Sequence, residues 1–277
     1  MAYQKILTVQ DISCVGQCSL TVALPILSAA GMETCILPSA VLSTHTAGFS
    51  GYTVRDLTED LPAIAAHWKK ENIRFSAIYT GYLGSTEQIA DVKGMFDSLL
   101  LEGGVTIVDP AMADNGKLYP AFDRAYVEAM KGLAFSADLI LPNITEACFL
   151  TGTEYRENYD EEYITALLDR LTAAGARTVV LTGVGYAAGK TGVVVRENGV
   201  TRYYEHKKIA KGCHGTGDVY ASAFVGALLN GLNAYDAAVL AADYTVRCIE
   251  VTQGDPEHWY GVKFELLLPE YIRMLGK

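Results

Sequence analysis

The chain has 277 residues, half of them hydrophobic and 19% charged, and a formal net charge of −10. That length and apolar share can bury a large core, as one α/β domain or two smaller ones. The acidic balance argues against a general nucleic-acid or anionic-membrane surface, while leaving room for one local pocket that takes a small anion.

In chain order, strand-like and helix-like patterns alternate. KILTV is a short buried-strand run, followed by a polar turn and then SLTVALPILSAAG, a helical stretch that stops at Gly31. TCILP reads as the next strand, and EDLPAIAAHWKKEN as an amphipathic helix with Leu61, Ile64, Ala65 and Trp68 on one face. FSAIYTGYLG is a strand with a glycine turn. STEQIADVKGMFDSLLLEGG opens as a helix capped at Ser85 or Thr86 and is expected to close at its glycine pair.

VTIVDP is a strand, followed by a loop to about Tyr119, a helix over 121–132 and the strand ADLILPN. Helices are expected over 145–150 and 160–174, then the strand RTVVLTG. Residues 192–208 read as a hairpin around Asn198-Gly199, and helices dominate from there to the end. Repeated strand–helix units predict a mostly parallel sheet with helices on both faces, its binding loops at the carboxyl ends of the strands. No repeat, low-complexity tract or linker interrupts the pattern, so residues 1–277 are read as a single domain.

Six scattered cysteines form no C-x-x-C pair, which indicates reduced thiols and a cytoplasmic setting. The start MAYQKILTVQD has the wrong shape for a signal peptide, and no apolar segment approaches the ~20 residues of a membrane span.

The stretch KGCHGTGDVYASAF, residues 211–224, carries the most chemistry. A glycine turn feeding a helix points free backbone N–H groups outward, so Gly215, Thr216 and Gly217 can seat an anion, with Asp218 placed to take a proton from an attacking hydroxyl. The same residues also fit a plain chain reversal with Asp218 as a helix cap. Cys213 and His214 raise a third possibility, a thiol–imidazole pair, but adjacent residues in a turn usually point apart.

The segment GTGDVYASAFVGALLNG resembles the signature of the ribokinase-like small-molecule kinases, whose Gly-x-Gly-Asp motif forms an anion hole and whose aspartate activates the acceptor hydroxyl. Further segments resemble the pyridoxal kinase branch in chain order. VLSTHTAGF is similar to a segment lining the pyridine pocket, implicating His45 and Thr46, and YTGYLGS is similar to a turn whose tyrosine, here Tyr82, packs near the substrate. VDPAMADNGKLY resembles a loop whose acidic residues, here Asp109 and Asp114, serve the metal–phosphate region. LPNITEACFLTG resembles a segment in which Asn143 and Glu146 match nucleotide and magnesium residues, while Thr182 and Gly183 match a strand end near the phosphates.

The resemblance implies a ribokinase-like three-layer sandwich. It also implies an ATP- and Mg²⁺-dependent kinase acting on the 5′-hydroxymethyl group of a B6 vitamer, with K⁺ as an optional monovalent cation and a homodimer as the assembly. Asp109, Asp114 and Glu146 can supply oxygen to Mg²⁺, directly or through water. Taken singly each has a duller use, since Asp109 before Pro110 is common loop chemistry. His214 would pack against or hydrogen-bond substrate or phosphate. Lys207, Lys208 and Lys211 either meet phosphate charge or are solvated, and the hairpin with YYEHKKIAKG would border the adenine.

One strand end departs from the pattern. In VQDISCVGQCS, Asp11 stands where pyridoxal kinases typically carry a serine, with Ser13 nearby. A carboxylate there can accept from a ring N–H or a substrate amine, which favours a cationic acceptor such as pyridoxamine. The related hydroxymethylpyrimidine kinases also use an acidic residue near this turn, and remain the alternative, with a non-catalytic nucleotide-binding regulator behind them.

Overall fold

The computed structural model describes residues 3–209 and 214–277. The elements are β1 (Lys5–Ser13), α1 (Leu20–Ala29), β2 (Glu33–Leu42), β3 (Val54–Asp56), α2 (Leu61–Lys70), β4 (Phe75–Thr80), α3 (Thr86–Leu99) and β5 (Leu100–Val108). They continue with β6 (Ala113–Asp114), β7 (Lys117–Leu118), α4 (Arg124–Ala134), β8 (Leu139–Ile140), α5 (Ile144–Thr151), α6 (Glu161–Ala173) and β9 (Thr178–Thr182). Last come β10 (Lys190–Glu197), β11 (Val200–Lys207), α7 (Thr216–Leu229), α8 (Ala234–Thr252), a 3₁₀ turn (Phe264–Leu267) and α9 (Leu268–Met274).

Nine strands form one sheet in the order β11-β10-β9-β8-β5-β4-β1-β2-β3. The six from β9 to β2 are parallel neighbours, while β3 at one edge and β10 and β11 at the other run antiparallel. After β1 the chain builds outward through β2 and β3, then crosses back to lay β4 on the other side of β1. The order therefore reverses between β1 and β4, the crevice where open α/β sheets hold their ligands.

Strand alternation divides the core. Leu7, Val9, Ile78, Val108 and Val179 pack with the helices α3 to α6, with α2 adding Ile64 and Trp68. Ile6, Ala77, Tyr79, Ile107 and Val180 pack with α1, α7, α8 and α9. Two helical layers over one sheet give the expected three-layer sandwich. Among the described residues no helix is long and apolar enough to cross a membrane, and Cys14, Cys18, Cys35, Cys148 and Cys248 are free thiols.

The structure departs from the sequence reading in places, among them the unread edge strand β3 and two further points. LLLEGG does not finish a helix: α3 stops at Leu99, and Leu100 turns to extended backbone (φ −77°, ψ 140°) and pairs with Phe75. A leucine run satisfies helical and strand periods equally, so sheet pairing decides. The loop before Tyr119 contains the small ribbon β6–β7, closed by Asn115 and Gly116, both at positive φ.

Helix α7 is apolar on nearly every side, with Val219, Ala221, Ala223, Phe224, Val225 and Ala227 buried. A helix of that kind must sit inside the molecule. Tyr271 of α9 donates to the Ala223 carbonyl at 2.9 Å, and a Cβ on Gly226 would stand 2.1 Å from the Tyr271 hydroxyl oxygen and 3.0 Å from Ala30 Cβ. Gly226→Ala should therefore destabilise the protein by about 1–3 kcal/mol through overpacking, although alanine is the better helix former. Chemical denaturation would check this, and a neutral or stabilising result would show that α7 is not wedged at that point.

Candidate active site

The head of α7 forms one wall. Gly215 caps it at φ 72° and ψ 4°, a left-handed geometry. A Cβ there would lie 1.7 Å from the Gln17 carbonyl oxygen, so glycine alone lets the segment before α1 close against this turn. A Cβ on Gly217 would meet nothing within 4 Å, so that side of the first turn is open, and a helix N-terminus favours an anion. Thr216 is partly buried. Asp218, one residue further, is held up at about 7, chiefly by burial and also by the charge of Asp11. The backbone N–H of Ser19 faces its carboxylate and works in the opposite direction, short of full hydrogen-bond geometry.

The acidic wall follows β5 and β8. Asp109 sits at the end of β5, anchored by its N–H to the Thr80 carbonyl at 2.9 Å. Asn143 caps α5 by accepting from the Glu146 N–H at 2.9 Å. Glu146 accepts from the Asn143 N–H at 2.8 Å and from the Met112 N–H at 3.1 Å. This capping box fastens the loop after β5 onto α5, and Asn143 Nδ2 adds a bond to the Ala113 carbonyl at 2.8 Å. Glu146 is thus no solvated surface glutamate; only 3% of it is exposed.

Burial raises Asp109 well above the usual carboxylate range, with Glu146 and Asp218 adding to the effect. Burial likewise raises Glu146, against the pull of three backbone N–H groups. Asp114 is exposed and turned back on its own turn, accepting from the Asn115 N–H at 2.8 Å and from Asn115 Nδ2 at 2.9 Å. Thr182 ends β9 beside this wall, its N–H bonded to the Pro142 carbonyl at 2.9 Å, and Gly183 follows at φ 77°.

No ion pair among the described residues reaches Asp11, Asp109, Glu146 or Asp218. No three His, Cys, Asp or Glu side chains there gather closely enough to hold a metal alone. An uncompensated carboxylate wall beside an anion cradle fits Mg²⁺, which typically takes one or two carboxylates and completes its shell with water and phosphate.

The third wall is built by β1, β2 and the C-terminal segment. The β1–β2 register shifts just after Gln10 pairs with Pro38, which has no N–H to give. Asp11 lies in that bulge and is 5% exposed, accepting from Ser19 Oγ at 2.5 Å and Ser13 Oγ at 3.1 Å. Burial raises its pKa while the two hydroxyls and the charge of His45 oppose the rise. His45, 4% exposed, shares a 2.8 Å hydrogen bond between Nε2 and the Tyr260 carbonyl, and its Nδ1 is buried without a partner.

Of the two threonines in STHT, Thr44 has the buried, unpartnered hydroxyl, whereas Thr46 is exposed. Tyr82 is half-buried against Phe122, and its phenol is pushed up to about 12, by burial first and then by the charge of Asp11. His214 is exposed on one side and lies 5.5 Å from the His45 ring; partial loss of hydration, and then the charge of His45, lower its pKa. Cys213 and Lys211 fall outside the described residues.

Sequence reasoning missed the aromatic rim. Phe49 lies 4.7 Å from Trp259, and Trp259 lies 6.4 Å from His214. The segment EHWYG, a polar-aromatic island after the last long helix, was the available signal. Ser19 was missed as well. Beyond Thr182, a cavity of about 110 Å³ is lined by Gly192, Val193, His206, Tyr220, Ala242 and Thr245.

The fold is that of the ribokinase-like kinases, which are phosphotransferases. Solved structures extend the match over nearly the whole chain. A pyridoxal kinase from Lactobacillus plantarum is 31% identical with a TM-score of 0.91, covering 99% of this chain and 98% of that one. A candidate phosphomethylpyrimidine kinase from Bacteroides thetaiotaomicron, in an orthorhombic form with pyridoxal, is 34% identical with a TM-score of 0.90, covering 100% and 96%. The thiamine biosynthesis bifunctional protein ThiED of Geobacter sulfurreducens is 29% identical over 224 residues, 78% of this chain but only 44% of that longer one. The phosphomethylpyrimidine kinase family profile matches residues 26–262, and the chain belongs to that family.

A carboxyl whose pKa is raised by folding contributes stability below its unfolded value, and that contribution is lost as pH rises through the folded value. For Asp218 the window runs from about 4 to about 7. Without divalent cation, Asp218→Asn should exceed the native chain in stability at pH 8 by roughly 1 kcal/mol or more, or about 2–4 °C in Tm. The gap should narrow markedly by pH 5, closing only near the unfolded value of about 4. Calorimetry at the two pH values tests this, and a gap independent of pH would mean Asp218 is not held in an unfavourable ionised state.

Proposed function

We propose that the chain, acting as one kinase domain over 1–277, transfers the γ-phosphoryl group of ATP to the 5′-hydroxymethyl group of pyridoxal, pyridoxamine or pyridoxine. The observation that carries this reading is the meeting of two half-sites. Asp218 stands in the first turn of α7, whose Gly215 closes against Gln17; His214 just before it lies 5.5 Å from the His45 ring, and Ser19, two residues after Gln17, holds Asp11 at 2.5 Å. The relative crystallised with pyridoxal supports the choice of acceptor.

Phosphoryl transfer is mainly positioning and charge neutralisation. Asp218 takes the acceptor hydroxyl proton as the new O–P bond forms and the β–γ bridge breaks, releasing ADP. The N–H groups of Gly215 to Gly217 hold the transferring oxygens. Asp109 and Glu146 face the metal, with Asp114 at the rim. Mg²⁺ held there, directly or through water, would supply neutralisation of phosphate charge. Asn143, Thr182 and Gly183 border the phosphates, and the apolar cavity behind Thr182 receives the adenine. Asp11 reads a positive charge or ring N–H on the acceptor, and Tyr82 packs on the flat ring. His45, Thr46 and His214 line its mouth. A cytoplasmic homodimer, with K⁺ as an optional monovalent cation, accompanies this reading by resemblance.

A second reading, phosphorylation of a hydroxymethylpyrimidine, is favoured by one observation: a carboxylate at position 11 where pyridoxal kinases typically carry serine. ADP release from ATP with a panel of B6 vitamers and hydroxymethylpyrimidine separates the two. The B6 reading expects the highest kcat/KM with a pyridine acceptor, and a pyrimidine preference of tenfold or more would replace it. Asp218→Ala should lower turnover at least ~10²-fold, the usual loss for a general base, while calorimetry shows ATP still bound. Near-native turnover would remove Asp218 from that role.

A further inference from the structure

Ser19 has backbone angles that a residue with a Cβ rarely adopts, φ 55° and ψ −129°. Such strain persists only where the surroundings over-determine it, and it collects at functional sites. Here the surroundings are explicit. The residue is 5% exposed and stands at the N-cap of α1, where a serine hydroxyl ordinarily accepts from the helix's own N–H groups. This one does not; it donates instead to Asp11 at 2.5 Å. The Ser19 carbonyl meanwhile accepts from the N–H groups of Val22 and Ala23 at 3.0 and 2.9 Å, fixing the residue to the helix. A lone bridge to Ile12 ties it to β1. With its carbonyl and hydroxyl both engaged, Ser19 sits beside the head of α7, where a Cβ on Gly215 would stand 1.7 Å from the Gln17 carbonyl oxygen, and its N–H meets the Asp218 carboxylate.

We propose that Ser19 is a positioning residue: the Oγ–Asp11 hydrogen bond clamps its strained backbone so that its N–H steers the Asp218 carboxylate toward the acceptor hydroxyl. The clamp joins the acceptor pocket to the proton-accepting group through a single residue. Glycine would adopt the same angles without strain, yet would have no hydroxyl to hold them. The N–H contact is open as it stands and tightens when the acceptor seats against Asp11, as catalytic hydrogen bonds often do in the loaded complex.

This inference rests on the reading of Asp218 as the base, and two variants test it apart from that reading. Ser19→Ala keeps the strain and loses the clamp, and Ser19→Gly loses both. Both should reduce kcat by ~10-fold or more with KM for ATP unchanged, because a small misplacement of a reacting group is costly. Ser19→Gly should nevertheless melt about 2 °C or more above Ser19→Ala, from relief of strain. A merely structural serine would give the reverse pattern, with activity recovering alongside stability in the glycine variant. That recovery, or a kcat within threefold of native in either variant, overturns the proposal. If Asp218→Ala is inactive while the Ser19 variants are not, only the positioning role falls; if Asp218→Ala is active, the base assignment itself falls. Should Ser19→Ala fail to fold, the glycine variant carries the test.

Discussion

The site depends on carboxyls gathered out of water: loss of hydration is the larger cause of each raised pKa, and repulsion between them adds to it for Asp109 and Asp218. Asp11, Asp109 and Asp218 each raise another's pKa or are raised by one, and Glu146 raises Asp109. Like charges brought together away from water are unfavourable, so a soft scaffold would relax by letting them swing apart. Each is instead held by a different device. Asp218 rides on a helix buried nearly all round, Glu146 is locked in a capping box, Asp109 ends a central strand, and Asp11 occupies a bulge between two serine hydroxyls. The energy lost in folding these groups together is what a bound cation would return.

That arrangement explains why the sheet has the shape it has. Strands that reverse order between β1 and β4 bring their carboxyl ends to one crevice, and the four carboxyls come from β1, β5, α5 and α7. The antiparallel hairpin at one edge borders the apolar cavity beside Thr182. On the other side the C-terminal segment returns to place Trp259 against Phe49 and the Tyr260 carbonyl on His45. Gly16 makes that closure workable, since a Cβ there would stand 2.2 Å from the His45 ring.

Much of this was legible in the sequence because local chemistry determines it. The Asn143–Glu146 spacing is a capping box wherever a helix begins, and GTGD before an apolar run is a glycine-capped helix start with an acid in its first turn. Alternation of strand and helix periods led to the parallel sheet. The leucine run before Gly103 was misread because it satisfies both periods. The ribbon at Asn115-Gly116 and the edge strand β3 are too short for any period to show. Thr46 was chosen over Thr44 because a pattern of residue types does not say which hydroxyl turns inward.

By itself, then, the amino-acid sequence determined the class of fold, the glycine cradle with its aspartate, and the acidic segments that accompany it, since each is written within a few consecutive residues. Only the tertiary structure decided which groups meet. Ser19 and Asp218 lie 199 positions apart, and Trp259 reaches the pocket from the far end of the chain. Position in such a crevice depends on strand order, on a bulge forced by Pro38 across from Gln10, and on how closely backbones approach at Gly215 and Gly16. Those are properties of packing between distant segments, and no short stretch of sequence contains them.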